Sequence, residues 1–553
     1  MWIYWSTKDL QQEIGDQNLT FLSDVIPALE QSEAASNFIS TRSKLASLVE
    51  SLQDHDYFRI KSNLKKCLLR VPPEKMAELR VSVNFSVEQG DLDALVKKIY
   101  SSQANYEMFA SVFDLDARFL TSDKGVIPAW FDNFEASVEQ PKHLIKPFKT
   151  LKSYQSDCSV RLNEIFRPQM SRAILQMPTG SGKTRTASEI IAEHLKESGL
   201  RQVVWLANTR ELVEQAIQCM NEVWDHVGTR RCRFNRAWDG NLNKIPDWSD
   251  EECVFTVMSL QSGWKLVDGD YESFRELFAH TTLVVVDEAH IAVAPTYSKV
   301  IRSFVRSAQC KVLGLTATPG RTVANENYEL SDLFFGNICS LEDPDQSRDN
   351  AIAYLRSIGV MSEAFHQPLI YQTNIKLTAA EQRNLETGSD YSEKLLTQLG
   401  SDTDRTLAVV QMVRNLLDQN ARIIMFAPSV ENSFLVSAIL VFLGYRSVHV
   451  SGKTPSKTRD SLIQKFVSGE YQIMCNYGVL ATGFDAPTVD VVCIARPTKS
   501  PVLYSQMIGR GLRGPSVGGT EQCLVLEVLD NFVGQPDQDG LYSQFQDYWD
   551  EED

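Results

Sequence analysis

The sequence has no lysine or arginine after Arg513, and it closes on Asp547-Tyr548-Trp549-Asp550-Glu551-Glu552-Asp553. That acidic end is open to two readings, a solvated tail or a docking segment for a basic partner. A net charge of −16 also leaves the chain without the overall basic footprint that binders of nucleic acid usually carry. A total of this kind does not describe a local groove, so it limits affinity without excluding such a partner. No run of about 18 apolar residues occurs, so no membrane-spanning helix is expected. The start, Met1-Trp2-Ile3-Tyr4-Trp5 followed by Lys8 and acids, lacks the basic and long apolar regions of a secretory signal. The ten cysteines are scattered singly with no C-x-x-C pair, which argues against a zinc ribbon or a redox dithiol. Buried free thiols in a reducing cytoplasm are expected instead. There is no internal repeat, and there is no cluster of Asp, Glu and Lys behind a strand of the kind that would mark a nuclease.

What is present is ample material for packed cores. With 43% hydrophobic and 23% charged residues in 553, the chain has the composition of a globular protein and is too long for one core. From about residue 10 to 134 the apolar residues recur at helical spacing, as in Phe21, Val25, Ile26, Leu29 and Leu45, Leu48, Val49, Leu52. Pro128, Pro141 and Pro147 punctuate the stretch that follows and place a boundary near residue 145. Beyond it, short apolar runs alternate with helical patterns, the rhythm of a parallel α/β sheet. Strands are predicted at 172–177, 202–207, 254–258, 283–286 and 312–315, and a second series at 423–426, 447–450, 472–475, 491–495 and 523–528. The expected fold is therefore α/β, two tandem parallel-sheet domains with a helical N-terminal domain. The divisions are a helical accessory domain over 1–145, sheet domains over 146–345 and 346–531 joined by a polar hinge near 341–351, and an acidic tail over 532–553.

The first strand runs into Met177-Pro178-Thr179-Gly180-Ser181-Gly182-Lys183-Thr184. In open α/β sheets a glycine-rich turn between strand and helix binds phosphate. Gly180 and Gly182 let backbone N–H groups wrap a β-phosphate, with Thr179 and Ser181 completing the loop. Lys183 can reach the β- and γ-phosphates, and the Thr184 hydroxyl can hold Mg2+. Met177 stands where the strict pattern has glycine. The strand at 283–286 delivers Asp287-Glu288-Ala289-His290 at its carboxyl end, where Asp287 can bind Mg2+ and Glu288 can orient and deprotonate an attacking water.

Together these segments resemble the superfamily 2 helicases, since further motifs stand in family order. Thr316-Ala317-Thr318-Pro319 looks like motif III, and with His290 it is implied to couple the nucleotide and nucleic-acid sites. Asn208-Thr209-Arg210-Glu211-Leu212 resembles motif Ia, whose Thr209 and Arg210 would hold a nucleic-acid backbone. Ser259-Leu260-Gln261 resembles a further backbone-gripping motif, with Ser259 and Gln261 as contacts, and Ser429 is the corresponding expectation in the second sheet domain. The segment 480–487 looks like motif V, implying nucleic-acid contact by Thr482 and nucleotide contact by Gly483 and Asp485. Gln506-Met507-Ile508-Gly509-Arg510-Gly511-Leu512-Arg513 looks like motif VI. A guanidinium supplies two donors and permanent charge to a γ-phosphate in the transition state, so Arg510 and Arg513 are the expected fingers, with Gln506 beside them. Because they belong to the second sheet domain, they complete the site only when the cleft closes. Leu151-Lys152-Ser153-Tyr154-Gln155 is similar to an adenine-recognition motif, Gln155 being both donor and acceptor, with Lys152 where that motif has arginine.

The resemblance extends over about 148–531 and is closest to the branch of RadD-type DNA-repair ATPases and type I and III restriction motors. Residues 313–321, 451–455 and 495–500 carry it together with the Asp287 segment. It implies an ATP- and Mg2+-dependent helicase or translocase acting on DNA in repair or anti-phage defence. Cleavage, if it belongs to the system, is then left to a nuclease or other effector partner docked on the N-terminal domain. An ATP-dependent DNA-sensing switch and an RNA helicase need the same motifs and stay open.

Overall fold

The computed structural model describes residues 1–14, 42–51, 57–86, 91–115, 119, 134–136, 150–166, 171–237, 253–269, 277, 279–292, 294–304, 310–317, 330, 332–342, 351–387, 389–480, 488–535 and 540–548. The N-terminal part is helical: α1 (Thr7–Ile14), α2 (Arg42–Ser51), α3 (Lys61–Leu68), α4 (Pro73–Ser82), α5 (Leu92–Ile99) and α6 (Gln103–Val112). Leu45, Leu48 and Val49 are fully buried, as their helical spacing requires. Trp2 and Trp5, at the very start of the chain, sit in an aromatic core with Tyr57, Phe58 and Phe109. The Arg70 guanidinium lies 4.5 Å from the Trp5 ring. These helices are not an isolated body. Their core is continuous with one face of the second sheet.

The first sheet has eight strands in the order β1-β4-β5-β3-β6-β7-β2-β8. These are β1 (Phe134–Ala136), β2 (Arg172–Gln176), β3 (Arg201–Ala207), β4 (Cys232–Ala237), β5 (Cys253–Ser259), β6 (Thr281–Val286), β7 (Lys311–Thr316) and β8 (Ile338–Ser340). All pair in parallel except β1, which runs antiparallel to β4. Helices α7 (Ser153–Ile165), α8 (Lys183–Lys196), α9 (Arg210–Val227), α10 (Leu260–Gly269) and α11 (Pro295–Phe304) belong to this lobe. Among its central strands β5 is buried at every position, which is why it reads as a continuous apolar run rather than an alternation.

The second sheet has six strands, all parallel, in the order β11-β12-β10-β13-β14-β9. Its elements are α12 (Ala351–Ser357), β9 (Glu363–Gln372), α13 (Ala379–Glu386), α14 (Glu393–Gly400), α15 (Thr403–Leu417), β10 (Ile423–Phe426), α16 (Val430–Phe442), β11 (Ser447–Ser451), α17 (Ser456–Val467), β12 (Ile473–Tyr477), β13 (Val491–Ile494), α18 (Pro501–Ile508) and β14 (Gln522–Asn531). Helix α2 of the N-terminal part packs on α16, with the Lys44 ammonium 4.9 Å from the Phe442 ring.

The two-sheet α/β expectation holds, and every predicted strand is present. The structure adds four that sequence reading passed over. Strand β1 lies on the N-terminal side of the expected boundary at 145 and nevertheless extends the first sheet. Strand β4 stands next to β1, β8 forms the opposite edge of that sheet, and β9 pairs with β14 along ten residues. The expected tail is also not wholly solvated. Residues Leu541–Tyr548 form a 3-10 segment in which Leu541 and Phe545 are buried, and Tyr542 stacks on His366 at 4.1 Å. Apolar residues spaced through the acid anchor it. At the expected hinge, Leu341 is buried and Glu342 pairs with Arg161, while 343–350 lie outside the described residues.

Candidate nucleotide site at the cleft between the sheets

Strand β2 ends at the buried Met177, whose N–H donates to Thr316 O on β7 at 3.1 Å. The chain then turns through Pro178–Gly182 into α8. Gly180 and Gly182 have φ of +86° and +88°, a left-handed conformation that glycine enters without strain. Gly182 has a second constraint, because a Cβ there would collide with the Gln155 amide. The Ser181 hydroxyl is turned inward and donates to Pro178 O at 2.7 Å. Lys183 and Thr184 open the first turn of α8, where unpaired N–H groups and the helix dipole favour an anion.

Two strands away, β6 delivers Asp287, which is 3% exposed. Its N–H donates to Leu206 O at 2.9 Å, and its Oδ1 accepts the Glu288 N–H at 3.0 Å. Burial, then the neighbouring Glu288 charge, push the Asp287 carboxyl up to about 6, and the Lys183 ammonium opposes them. The P-loop lysine and the strand-end carboxylate are therefore electrostatic neighbours. Glu288 has a φ of +50°, a strained turn for a side-chain-bearing residue and a mark of functional sites. His290 Nδ1 lies 3.4 Å from Glu288 Oε2, and both are largely buried. Thr316 is fully buried at the end of β7, between the two loops. Gly314 on that strand leaves room for Ala289 and Phe334, whose atoms would lie 2.9 and 2.8 Å from a Cβ.

The second lobe closes the site. Helix α18 carries Gln506 and leads into Gly509, Arg510 and Arg513. Gln506 and Arg510 are each 8% exposed, and Arg510 Nε donates to Gln506 O at 3.3 Å. A Cβ on Gly509 would collide with Thr179 of the P-loop. A Cβ on Gly180 would meet Gly509 O at 3.7 Å and Arg513 Cγ at 3.8 Å. The arginine segment thus packs directly on the glycine-rich turn of the other sheet.

The other expected site residues have the following surroundings. Gln155 is 6% exposed and its amide is engaged by protein: Oε1 accepts the Lys152 N–H at 2.9 Å, and Nε2 donates to Ser181 O and Gly182 O at 3.3 and 3.4 Å. Tyr154, for which no role was expected, donates its hydroxyl to Ser181 O at 2.8 Å. The helix start at Lys152 braces the P-loop from behind. Ser259 is 4% exposed, donates to Ser262 Oγ at 2.8 Å and accepts the Ser262 N–H, so it shapes the first turn of α10. Thr209 and Ser429 are helix N-caps, accepting from Leu212 N and Asn432 N at 3.3 and 3.1 Å. Gln261 is exposed in the first turn of α10, just beyond the end of β5. Thr318, Thr482, Gly483, Asp485 and the Arg210 side chain lie outside the described residues.

The fold and the site define a two-lobed P-loop protein with its phosphate loop on one sheet and its arginines on the other. Residues 148–321 match the family "Type III restriction enzyme, res subunit", and residues 408–514 match "Helicase conserved C-terminal domain". The two matched regions, one on each sheet, are those of superfamily 2 helicases. It is 25% identical over 62% of its length to a 51.5 kDa protein of a Lactococcus phage, covering 62% of that protein. It is 26% identical over 66% of its length to the putative ATP-dependent helicase IRC3 of Saccharomyces cerevisiae, covering 49% of it. The chain thus spans about half to three fifths of these curated relatives. Among solved structures, the ATP-dependent type ISP restriction-modification enzyme LlaBIII bound to DNA shares the fold at a TM-score of 0.50 and 15% identity, over 73% of this chain and 30% of that one.

Proposed function

We propose that this chain is an ATP-driven motor that translocates along or unwinds DNA, working in the cytoplasm in DNA repair or anti-phage restriction. The observation that carries the reading is the packing of Gly509 and the Arg513 stem on Thr179 and Gly180. A site shared between two lobes makes its chemistry depend on their closure, which is what a motor needs. In this reading the P-loop N–H groups and Lys183 hold the phosphates, and Glu288 orients a water and takes its proton, with His290 steadying the carboxylate. Arg510 and Arg513 meet the charge that develops on the γ-phosphate. Thr184 and Asp287 suit Mg2+, since a hydroxyl and a buried carboxylate are hard oxygen donors and this ion keeps few protein ligands. When bound it would neutralise phosphate charge.

DNA as the track draws on the family and structural neighbour named for restriction and on the exposed Asn208 and Gln261 beyond the ends of β3 and β5. The helical N-terminal part, riding on α16 of the second lobe, is the proposed dock for an effector subunit. The test is steady-state ATPase without nucleic acid, with single- and double-stranded DNA, and with RNA, alongside triplex displacement. Stimulation and displacement on DNA are expected. Stimulation by RNA alone would overturn the substrate, and DNA-stimulated hydrolysis with neither triplex displacement nor strand separation would replace the motor by a switch.

A further inference from the structure

The Lys152 ammonium is directed across the cleft. Its Nζ donates to Ser516 Oγ at 2.9 Å and to Ser516 O at 3.3 Å, joining the start of α7 in the first lobe to a turn of the second. On the first-lobe side the attachment is firm. The Lys152 N–H is held by Gln155 Oε1, and Gln155 with Tyr154 grips the Ser181 and Gly182 carbonyls of the P-loop.

The second-lobe side is equally firm and begins at Arg513. Ser516 belongs to the 3-10 turn Pro515–Val517, three residues beyond that arginine. The Gly514 N–H donates to Val360 O at 2.9 Å and the Ser516 N–H to Gly359 O at 2.8 Å, fixing the turn to the chain between α12 and β9. The Thr520 N–H donates to Arg513 O at 2.9 Å, and the Ser362 hydroxyl lies 2.8 Å from the same oxygen and 2.7 Å from Thr520 O. Gly519 passes so close to Arg513 O that a Cβ there would collide with it. The loop 514–520 is therefore a small braced unit with the Arg513 backbone inside it, and a hold on Ser516 is a hold on Arg513.

We infer that Lys152 is an interlobe latch, a positioning residue that sets Arg513 over the P-loop by holding Ser516. The inference rests on the reading of Arg513 as the residue that meets the reacting phosphate. It differs from the adenine contact that the Leu151–Gln155 pattern implies. An adenine contact would be lost equally from ground and transition state and would raise KM, whereas a latch on the arginine acts on the transition state and lowers kcat.

The experiment measures kcat and KM for ATP in the full-length chain carrying Lys152→Met, Lys152→Arg and Ser516→Ala, and Lys152→Met with Arg513→Ala. Loss of about tenfold in kcat with KM within about twofold is expected for Lys152→Met. Recovery is expected in Lys152→Arg, whose guanidinium also reaches two acceptors, and a smaller loss in Ser516→Ala, which keeps the carbonyl. The double variant should be no slower than Arg513→Ala alone, since residues acting through one another are not additive. A raised KM with kcat intact, or additive losses in the double variant, overturns the latch. Lys183→Ala separates the two claims. If it hydrolyses ATP normally, the ATPase reading itself fails; if it is dead while Lys152→Met is unimpaired, only the latch fails.

Discussion

The two lobes share an architecture and treat buried charge in opposite ways. In the first, Asp287 is buried at a strand end beside Glu288, with its carboxyl pushed up to about 6 and Lys183 as the countercharge. Its proton affinity is left unsettled by its surroundings. In the second, buried charge is closed on itself: Arg405 bonds Asp530 through Nε and Nη2 at 2.6 and 2.8 Å and Ala495 O at 2.6 Å, with both side chains 1% exposed. Glu527 likewise accepts from Tyr504 at 3.0 Å and pairs with His366 at 2.8 Å. The lobe proposed to hold the phosphate keeps capacity for a ligand, and the lobe that brings the arginines spends its polar groups on rigidity.

The largest test of that contrast is chemical. Lys183→Ala and Glu288→Gln should each lower ATP hydrolysis by about three orders of magnitude or more, with Glu288→Gln still binding nucleotide in a fluorescence titration. Normal hydrolysis by Glu288→Gln would remove it as the base. Arg513→Ala should cost about 10³-fold in kcat, the range of an arginine finger, with thermal stability unchanged because the side chain is half-buried at the cleft. Next comes stability. Arg405→Leu leaves Asp530 charged and buried, and should destabilise the second lobe by about 3–5 kcal/mol in denaturant unfolding, with Arg405→Leu/Asp530→Leu recovering much of it. A single variant as stable as wild type would show that the pair is not the brace described.

The smallest effect concerns pH. His194 of the first lobe is half-buried against Thr282, 2.8 Å away, and desolvation there lowers its pKa to about 3. The unfolded chain takes up a proton near pH 6.5 that the folded chain refuses, so this group removes stability as pH falls from 6.5 toward 3. In His194→Gln the first lobe should lose stability less steeply across that window, as read by denaturant midpoints from pH 7 to 5. An unchanged slope would place the titration elsewhere.

The legible strands were those whose side chains are buried on both faces, as in β5, β10 and β13, because continuous apolar runs bounded by turns have one natural reading. Strand β4 interleaves Arg233 and Arg236 with apolar residues, and β9 contains Pro368 with exposed residues on alternate positions. Both lie toward sheet edges, where a partly wet strand resembles a loop in sequence, and β9 is recognisable only through its pairing with β14. In the site, the P-loop and the Asp287 turn were legible because a glycine turn and a strand-end acid are local features. The hold of the Gln155 amide on the Ser181 and Gly182 carbonyls was not legible, since nothing local says that they would accept from it. Tyr154 stood beside it, and its place in the motif was the available signal.

The sequence by itself therefore determined the two sheets, the phosphate turn, the acid pair behind β6 and the order of the arginines, since each follows from hydrophobic period or from turn chemistry within a few residues. Only the tertiary structure decided what crosses between distant segments: the N-terminal helices on α16, the aromatic anchor of the C-terminal segment, Gly509 against Thr179, and Lys152 on Ser516, 364 residues away. Such contacts depend on how whole elements pack, and neither residue of such a pair carries a local mark of its partner.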